Sequence, residues 1–297
     1  MKRAAHPPQA WAQFIRKVRD FFDSKDFLEV FTSSLVPVGA FENAIDPLQV
    51  HFQGGTSQLH TSPEIEMKVI LSQEQRPIYQ ICKCFRDDPD TQIHFKEFTM
   101  LEFYRPHCNY TVTRNDMKDL IQALSKDNIL FQEFSVQEAF QKFATIELSA
   151  MSSVEVFLET AKAKGLNSLS PRDTWEDIFF RVMIEKIEPS LEPNIPTLLF
   201  DYPASVSTLS KPKNDFWGER FEIYWQGMEI CNGASELTSA EVLRERYEFE
   251  TNERLKAGKS PHPFPQRLSD ALATLPPCSG VAVGLDRLFW ALQSTSG

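Results

Sequence analysis

Phe85-Arg86-Asp87-Asp88, followed after a short gap by His94-Phe95-Lys96-Glu97-Phe98-Thr99-Met100-Leu101-Glu102-Phe103-Tyr104, is the stretch that decides the fold. It lies within residues 76–105, where two apolar, β-prone runs flank the polar loop Asp87-Asp88-Pro89-Asp90-Thr91. That pattern predicts two antiparallel strands joined by a long loop. In the second strand, a period of two puts Glu102 on the same face as Phe98, Met100 and Tyr104. A carboxylate in such company is costly to bury without a partner. Either this sheet face is open to solvent, or it is a pocket floor. In a pocket, Glu102 would meet a ligand ammonium and Tyr104 would add a hydroxyl or cation–π contact.

Outward from this stretch, strand pairs and helices come in mixed order rather than as repeated βαβ units. Trp11, Phe14, Ile15, Val18, Phe21 and Phe22 follow helical spacing after Pro7-Pro8, so a helix opens the chain. Residues 28–30 and 35–38 read as short strand pieces. Ser62-Pro63 reads as an N-cap followed by a first-turn proline, opening a helix through Leu71. Further helices are expected over 113–124, 135–143, 153–163 and 173–187, with capping boxes at Thr113/Asp116 and Thr238/Glu241. A second strand pair over 220–232 turns near Gln226-Gly227. The closing Gly280-Val-Ala-Val-Gly284-Leu-Asp-Arg287 passes from an apolar strand through glycine into a helix. An α+β fold on an antiparallel sheet flanked by helices accounts for this order.

Composition narrows the function classes. The 297 residues are 42% hydrophobic, enough for a large core. No stretch approaches the ~20 apolar residues of a membrane span, and the first residues lack a signal-peptide pattern. A cytoplasmic protein with no membrane partner is expected. The five cysteines include no C-x-x-C pair, which argues against a disulfide framework or a structural zinc site; Cys82-Lys-Cys84 is a weak metal signal that reads better as buried small apolar residues. The net charge of −10, without any basic run, disfavours stable tRNA binding. Only 11 glycines are present, and neither a P-loop nor a G-x-G-x-x-G follows a strand. Any bound nucleotide must therefore be held by arginines and cations.

Two more segments carry candidate chemistry. In Gly227-Met-Glu229-Ile-Cys-Asn232-Gly-Ala-Ser-Glu236, the carboxylates of Glu229 and Glu236 bracket a short segment. They are either a turn with two exposed acids or a pair holding Mg²⁺ on a triphosphate. Gly284 and Arg287 place a guanidinium in the first turn of a helix beside a glycine. There it is either a surface charge or a group that stacks on a base and binds phosphate.

Taken in order, these segments resemble the class II aminoacyl-tRNA synthetases. Phe85-Arg86 through Glu97-Phe98 is similar to their motif 2, and residues 280–287 to their motif 3. The segments LHTSPE (59–64), HFKEFTMLEFYRPH (94–107), DYPAS (201–205), GMEICNGASELT (227–238) and CSGVAVGLDRL (278–288) place the likeness in the lysyl-tRNA synthetase branch. Within it, they resemble the shortened elongation factor P–lysine ligases, which lysylate a protein in place of tRNA. The resemblance implies ATP and Mg²⁺ as cofactors and an aminoacyl-adenylate of (R)-β-lysine or lysine as intermediate. It further implies translation elongation factor P as acceptor and a homodimer.

The same resemblance assigns residues. Arg86 and Arg287 are the expected catalytic arginines, Arg86 on the α-phosphate and Arg287 above an adenine that rests on Phe98. Asp88 would accept from the adenine amino group and Phe95 would contact the ring through its main chain; Asp87, His94, Glu229, Ile230 and Gly284 complete the expected ATP site. Ser62, Pro63, Glu64, Glu102, Tyr104, Glu236 and Ala282 would surround the amino acid, and Glu229 with Glu236 would hold Mg²⁺. Ala282 stands where the synthetases carry glycine and is associated in the family with β-lysine preference. The amino-terminal anticodon-binding barrel has no room ahead of the first helix, so residues 1–297 are expected to form one catalytic domain. Departures from the pattern are Asp88 for glutamate, Ser33 for a motif 1 proline, Pro265 for aspartate, and a short carboxyl end. The rival expectations are a truncated synthetase acting on tRNA or a small acceptor, and an inactive amino-acid sensor.

Overall fold

The computed structural model describes residues 6–89, 95–151, 153–207 and 209–294. Helix α1 (Pro8–Ser24) begins on a proline that loses no intrahelical bond there, and it buries Phe14, Val18 and Phe22. The short strands β1 (Leu28–Glu29) and β2 (Leu35–Val36) follow, then the hairpin β3 (Gln49–Phe52) and β4 (Gly55–Leu59). Helix α2 (Glu64–Glu74) starts later than the Ser62-Pro63 signal implied: Pro63 itself is the N-cap, with no side-chain cap. Strands β5 (Ile78–Phe85) and β6 (Glu97–Pro106) are the expected antiparallel pair, in register from Ile78–Tyr104 to Phe85–Glu97.

Helix α3 (Tyr110–Leu124) is capped by Asn109, so the expected Thr113/Asp116 box does not form. Asp116 instead pairs with Arg105 at 2.5 Å and Lys25 at 3.0 Å, because tertiary partners outcompete the local cap. Strand β7 (Gln132–Ser135) leads into α4 (Val136–Ala139), opened by a Ser135/Glu138 capping box. Helices α5 (Val154–Ala163) and α6 (Trp175–Val182) precede strand β8 (Thr197–Phe200). Strands β9 (Arg220–Trp225) and β10 (Met228–Ser235) turn through Gln226 and Gly227 at φ 53° and 70°. Two consecutive positive φ values match a two-residue hairpin turn and favour glycine at the second place. Helix α7 (Ala240–Lys256) is capped by Ser239, one residue past the expected Thr238. Helix α8 (Gln266–Ala271), strand β11 (Cys278–Gly284) and helix α9 (Leu285–Ser294) complete the order.

Eight strands form one sheet in the order β1-β5-β6-β11-β10-β9-β8-β7. Its central six strands are antiparallel, as the sequence implied, while β1 and β7 add parallel pairs at the two margins. Strands β2, β4 and β3 make a separate small sheet. The late strand β11 inserts between β6 and β10, which brings the two most informative segments side by side.

Period two then sorts the residues. Leu101 and Phe103 of β6, Val281 and Val283 of β11, and Phe221 and Ile223 of β9 share a core with α1, α3 and α9. Their neighbours Glu102, Tyr104 and Ala282 turn to the other face. A second apolar cluster gathers α4, α5 and α6, and a third joins α2 and α8 to Tyr104 and Cys278. Asp286, at the start of α9, accepts from the Thr99 backbone N–H at 2.6 Å and contacts His6 Nε2 at 2.8 Å. The Thr99 bond ties the helix carrying Arg287 to the strand carrying Glu102.

Candidate active site

The register of the sheet lines up Gln80, Glu102, Ala282, Asn232 and Glu222 across five strands. The adjacent row on the same face is Ile78, Tyr104, Gly280, Ala234 and Arg220. Glu102 is only 2% exposed, so this face is not open to solvent. Tyr104 Oη donates to Glu102 Oε1 at 2.5 Å, while Oε2 is buried without a hydrogen-bond partner. Burial, reinforced by the Glu64 charge, pushes the Glu102 carboxyl well above its usual range. A carboxyl oxygen left without a partner among buried polar side chains is a receptor for a cationic donor, whose charge would draw the group into its ionised form.

Gly280 makes room for it. A Cβ there would stand 2.2 Å from Tyr104 Cε1 and 2.6 Å from Glu236 Oε1, distances no side chain tolerates. Glycine therefore lets the Tyr104 ring and the Glu236 carboxylate meet over the strand.

Lys68 was not singled out from the sequence, and it organises this end of the pocket. Its ammonium, 2% exposed, sits 2.6 Å from Glu64 and 2.5 Å from Glu236. Burial alone would lower the Lys68 pKa; the Glu236 and Glu64 charges overcome that and hold it well above its ordinary value. Two of the three carboxylates expected around the amino acid thus already share an internal cation. The signal was present as a Glu64/Lys68 pair four apart on α2, which reads equally well as a solvated helix face.

The other end of the pocket is built from arginines. The Arg86 guanidinium lies over the Phe98 ring at 5.2 Å from its centroid, and Arg86 Nε is buried without a partner. Arg287 Nη1 donates to the Glu229 carbonyl at 2.8 Å. Glu229 is pushed up to about 7 by burial and then by the Glu222 charge, against the pull of Arg287, Arg220 and Arg86. Glu222 accepts from Tyr202 at 2.6 Å, Tyr224 at 2.7 Å and Arg220 at 2.5 Å. The sequence reading missed it, since Phe221-Glu222-Ile223 looks like an ordinary alternating strand.

Glu229 and Glu236 are not brought together. Glu229 is the second residue of β10 and Glu236 follows its last, so an extended strand separates them by roughly 20 Å. The carboxylate whose charge acts on Glu229 is Glu222 of the paired strand β9, itself opposite Asn232 in register. Glu236 belongs with Lys68 and Glu64 and is pushed up to about 7, burial outweighing the Lys68 charge.

The remaining expected residues fall as follows. Ser62 is half-buried and Pro63 is buried at the head of α2. Ala282 lies between Glu102 and Asn232 in register, and Gly284 faces Met100. Phe95 packs edge-on to Trp290 with centroids 6.0 Å apart. The Asp87 carboxylate pairs with Lys96, and Asp88 is half-buried beside it. Ile230 belongs to the main apolar core, so only its backbone is available to a ligand. His94 lies outside the described residues.

The raised carboxyls carry a pH signature. A Glu229 that titrates near 7 folded but near 4.5 unfolded contributes stability that is complete below pH 4.5 and lost as the pH rises through 7. Removing the charge should remove that loss. The thermal midpoint of Glu229→Gln relative to the ligand-free parent should therefore rise between pH 4.5 and 7 and level off above. A difference independent of pH would mean that Glu229 is not held protonated in the folded chain.

A family model described as tRNA synthetases class II (D, K and N) matches residues 9–296. Elongation factor P–(R)-β-lysine ligases from Salmonella dublin, Salmonella paratyphi B and Salmonella heidelberg are each 34% identical to this chain over 288 residues. The alignments cover 93% of this chain and 88% of each relative.

Proposed function

Because the chain belongs to the class II tRNA synthetases (D, K and N), we propose that it is an ATP-dependent ligase that activates (R)-β-lysine or lysine and passes it to elongation factor P. The single observation that carries the choice of substrate is the orphaned Glu102 oxygen beside Tyr104, set in a pocket with Glu64 and Glu236. A ligand with two ammonium groups has a carboxylate for each, even with Lys68 already in place.

In the first step the amino-acid carboxylate oxygen attacks the α-phosphorus of ATP, and the bond to the pyrophosphate oxygen breaks. Arg86, aligned on Phe98, neutralises charge as it builds on the α-phosphoryl oxygens. Adenine lies between Phe98 and Arg287, with Asp88 and the Phe95 main chain at its edge. In the second step a lysine ε-amine of elongation factor P attacks the adenylate carbonyl; the acyl–oxygen bond breaks and AMP departs. The amine proton goes to the departing phosphate or to solvent. Positioning and fixed charges supply the catalysis, with no covalent enzyme intermediate.

The acidic donor set fits Mg²⁺ at the phosphate end, where Glu229 and Glu222 are like charges whose repulsion a divalent cation relieves. We place the ion on these two in preference to the Glu229 and Glu236 pair. When bound it supplies charge neutralisation on the triphosphate. Residues 1–297 would act as one catalytic domain in the cytoplasm, and a homodimer would bury apolar surface such as Phe31, which is 77% exposed.

Two assays test the proposal. Lysine or (R)-β-lysine should drive ATP–pyrophosphate exchange, and labelled amino acid should appear on purified elongation factor P in preference to bulk tRNA. No exchange with either amino acid would leave an inactive sensor; labelling of tRNA alone would make the chain a truncated synthetase.

A further inference from the structure

His60, Cys82 and Cys84 form a cluster that the proposed reaction does not use. Cys82 and Cys84 are two apart on β5, so both side chains leave the same face of the sheet. His60 follows β4 and reaches them from the segment that leads into α2. One donor atom from each of the three lies within 4.8 Å of the others. His60 is 2% exposed and Cys84 is fully enclosed, while Cys82 is half-buried and leaves one side of the cluster open.

Three features of this cluster suit a metal ion. The two sulfurs stand 3.8 Å apart. A tetrahedral ion with Zn–S bonds of about 2.3 Å sets its sulfurs about 3.8 Å apart, so the thiols need no rearrangement. The His60 ring is also already oriented. Nε2 is 2.7 Å from the Lys83 carbonyl and so carries the proton, which leaves the lone pair on the buried Nδ1, and the ring interacts with the Cys82 thiol. A histidine ligand whose other nitrogen donates to a backbone carbonyl is the usual outer arrangement of a zinc site. The surroundings are soft as well, with the Met100 thioether 3.8 Å from the Cys84 sulfur.

We propose that His60, Cys82 and Cys84 bind a thiophilic divalent ion of the Zn²⁺ class, with a fourth position left to solvent. Two thiolates and a neutral imidazole exactly offset the ion's charge, which keeps burial inexpensive. The ion would fasten the segment 60–64 to β5. That segment carries Ser62 and Glu64, so the metal would act as a clamp on one wall of the pocket. It is distinct from Mg²⁺ in donor type and in place, and it stands whether or not the ligase reaction does.

The test uses the full-length protein, reduced and freed of metal. About one equivalent of Zn²⁺ should remain bound through desalting. Titration with Co²⁺ should develop a thiolate-to-cobalt charge-transfer band together with tetrahedral d–d absorption. Cys84→Ser, nearly isosteric, should lose the equivalent and the charge-transfer band; Cys108→Ser, outside the cluster, should keep both. Parent protein that retains no more Zn²⁺ than Cys84→Ser would overturn the proposal. So would a Co²⁺ complex of the parent without thiolate charge transfer, a result that does not depend on how the variant folds.

Discussion

Arg86→Ala should lower lysine-dependent ATP–pyrophosphate exchange by about 10²–10³-fold, the loss typical when one preorganised donor to a developing oxyanion is removed. The side chain is half-buried over Phe98, its Nε has no partner, and its backbone N–H bonds Lys96 independently at 3.0 Å. Truncation therefore leaves the β5–β6 loop anchored, and the thermal midpoint should move little. The loss should fall on kcat more than on the Michaelis constant for ATP, because the charge it meets is larger in the transition state than in the ground state. A fully active Arg86→Ala enzyme would remove the motif 2 assignment and, with it, the placement of the α-phosphate.

Lys68→Met should have the largest effect on stability. It removes the cation that Glu64 and Glu236 share and leaves both carboxylates facing each other beside Glu102. Breaking a buried pair by deleting one partner costs about 3–5 kcal/mol. Part of that is recovered if a carboxyl takes up a proton, so the variant should be weakest at high pH, where protonation is hardest. The informative measurement is the midpoint of urea unfolding with and without lysine. A ligand ammonium can stand where the Lys68 ammonium stood, so lysine should stabilise the variant more than the parent. An equal gain in both would place Lys68 outside the amino-acid pocket.

Much of the site could be read from the chain because its parts are local. The β5–β6 pair is fixed by two apolar runs and the loop between them, and period two alone put Glu102 and Tyr104 on one face. Gln226-Gly227 announced its own turn. What could not be read is set by which strands become neighbours. Nothing within residues 278–284 says that this strand lies between β6 and β10, yet that insertion is what sets Ala282 and Gly280 against Glu102 and Tyr104. The spacing of Glu229 and Glu236 was harder to read for a related cause. Two acids seven apart look close in a list, but an extended strand runs between them, and the charge that acts on Glu229 comes from Glu222 across the hairpin. Lys68 was hidden by a helix position that a solvated lysine could equally occupy. The caps at Ser62, Thr113 and Thr238 moved by a residue or more because side chains there had stronger partners or none.

The central place of β11 also has a consequence for how the protein is made. Strands β5 and β6 leave the ribosome long before residues 278–284, and until then one edge of β6 and one edge of β10 have no partner. Their exposed backbone groups are open to pairing with other chains during that interval. The contact between Glu102 and Ala282 spans most of the sequence, so loop closure must precede its reward, and folding should be slow for a protein of this size. The two rows of pocket residues come into being together, in the last event of folding, and a nascent chain lacking β11 has no pocket to protect by binding substrate.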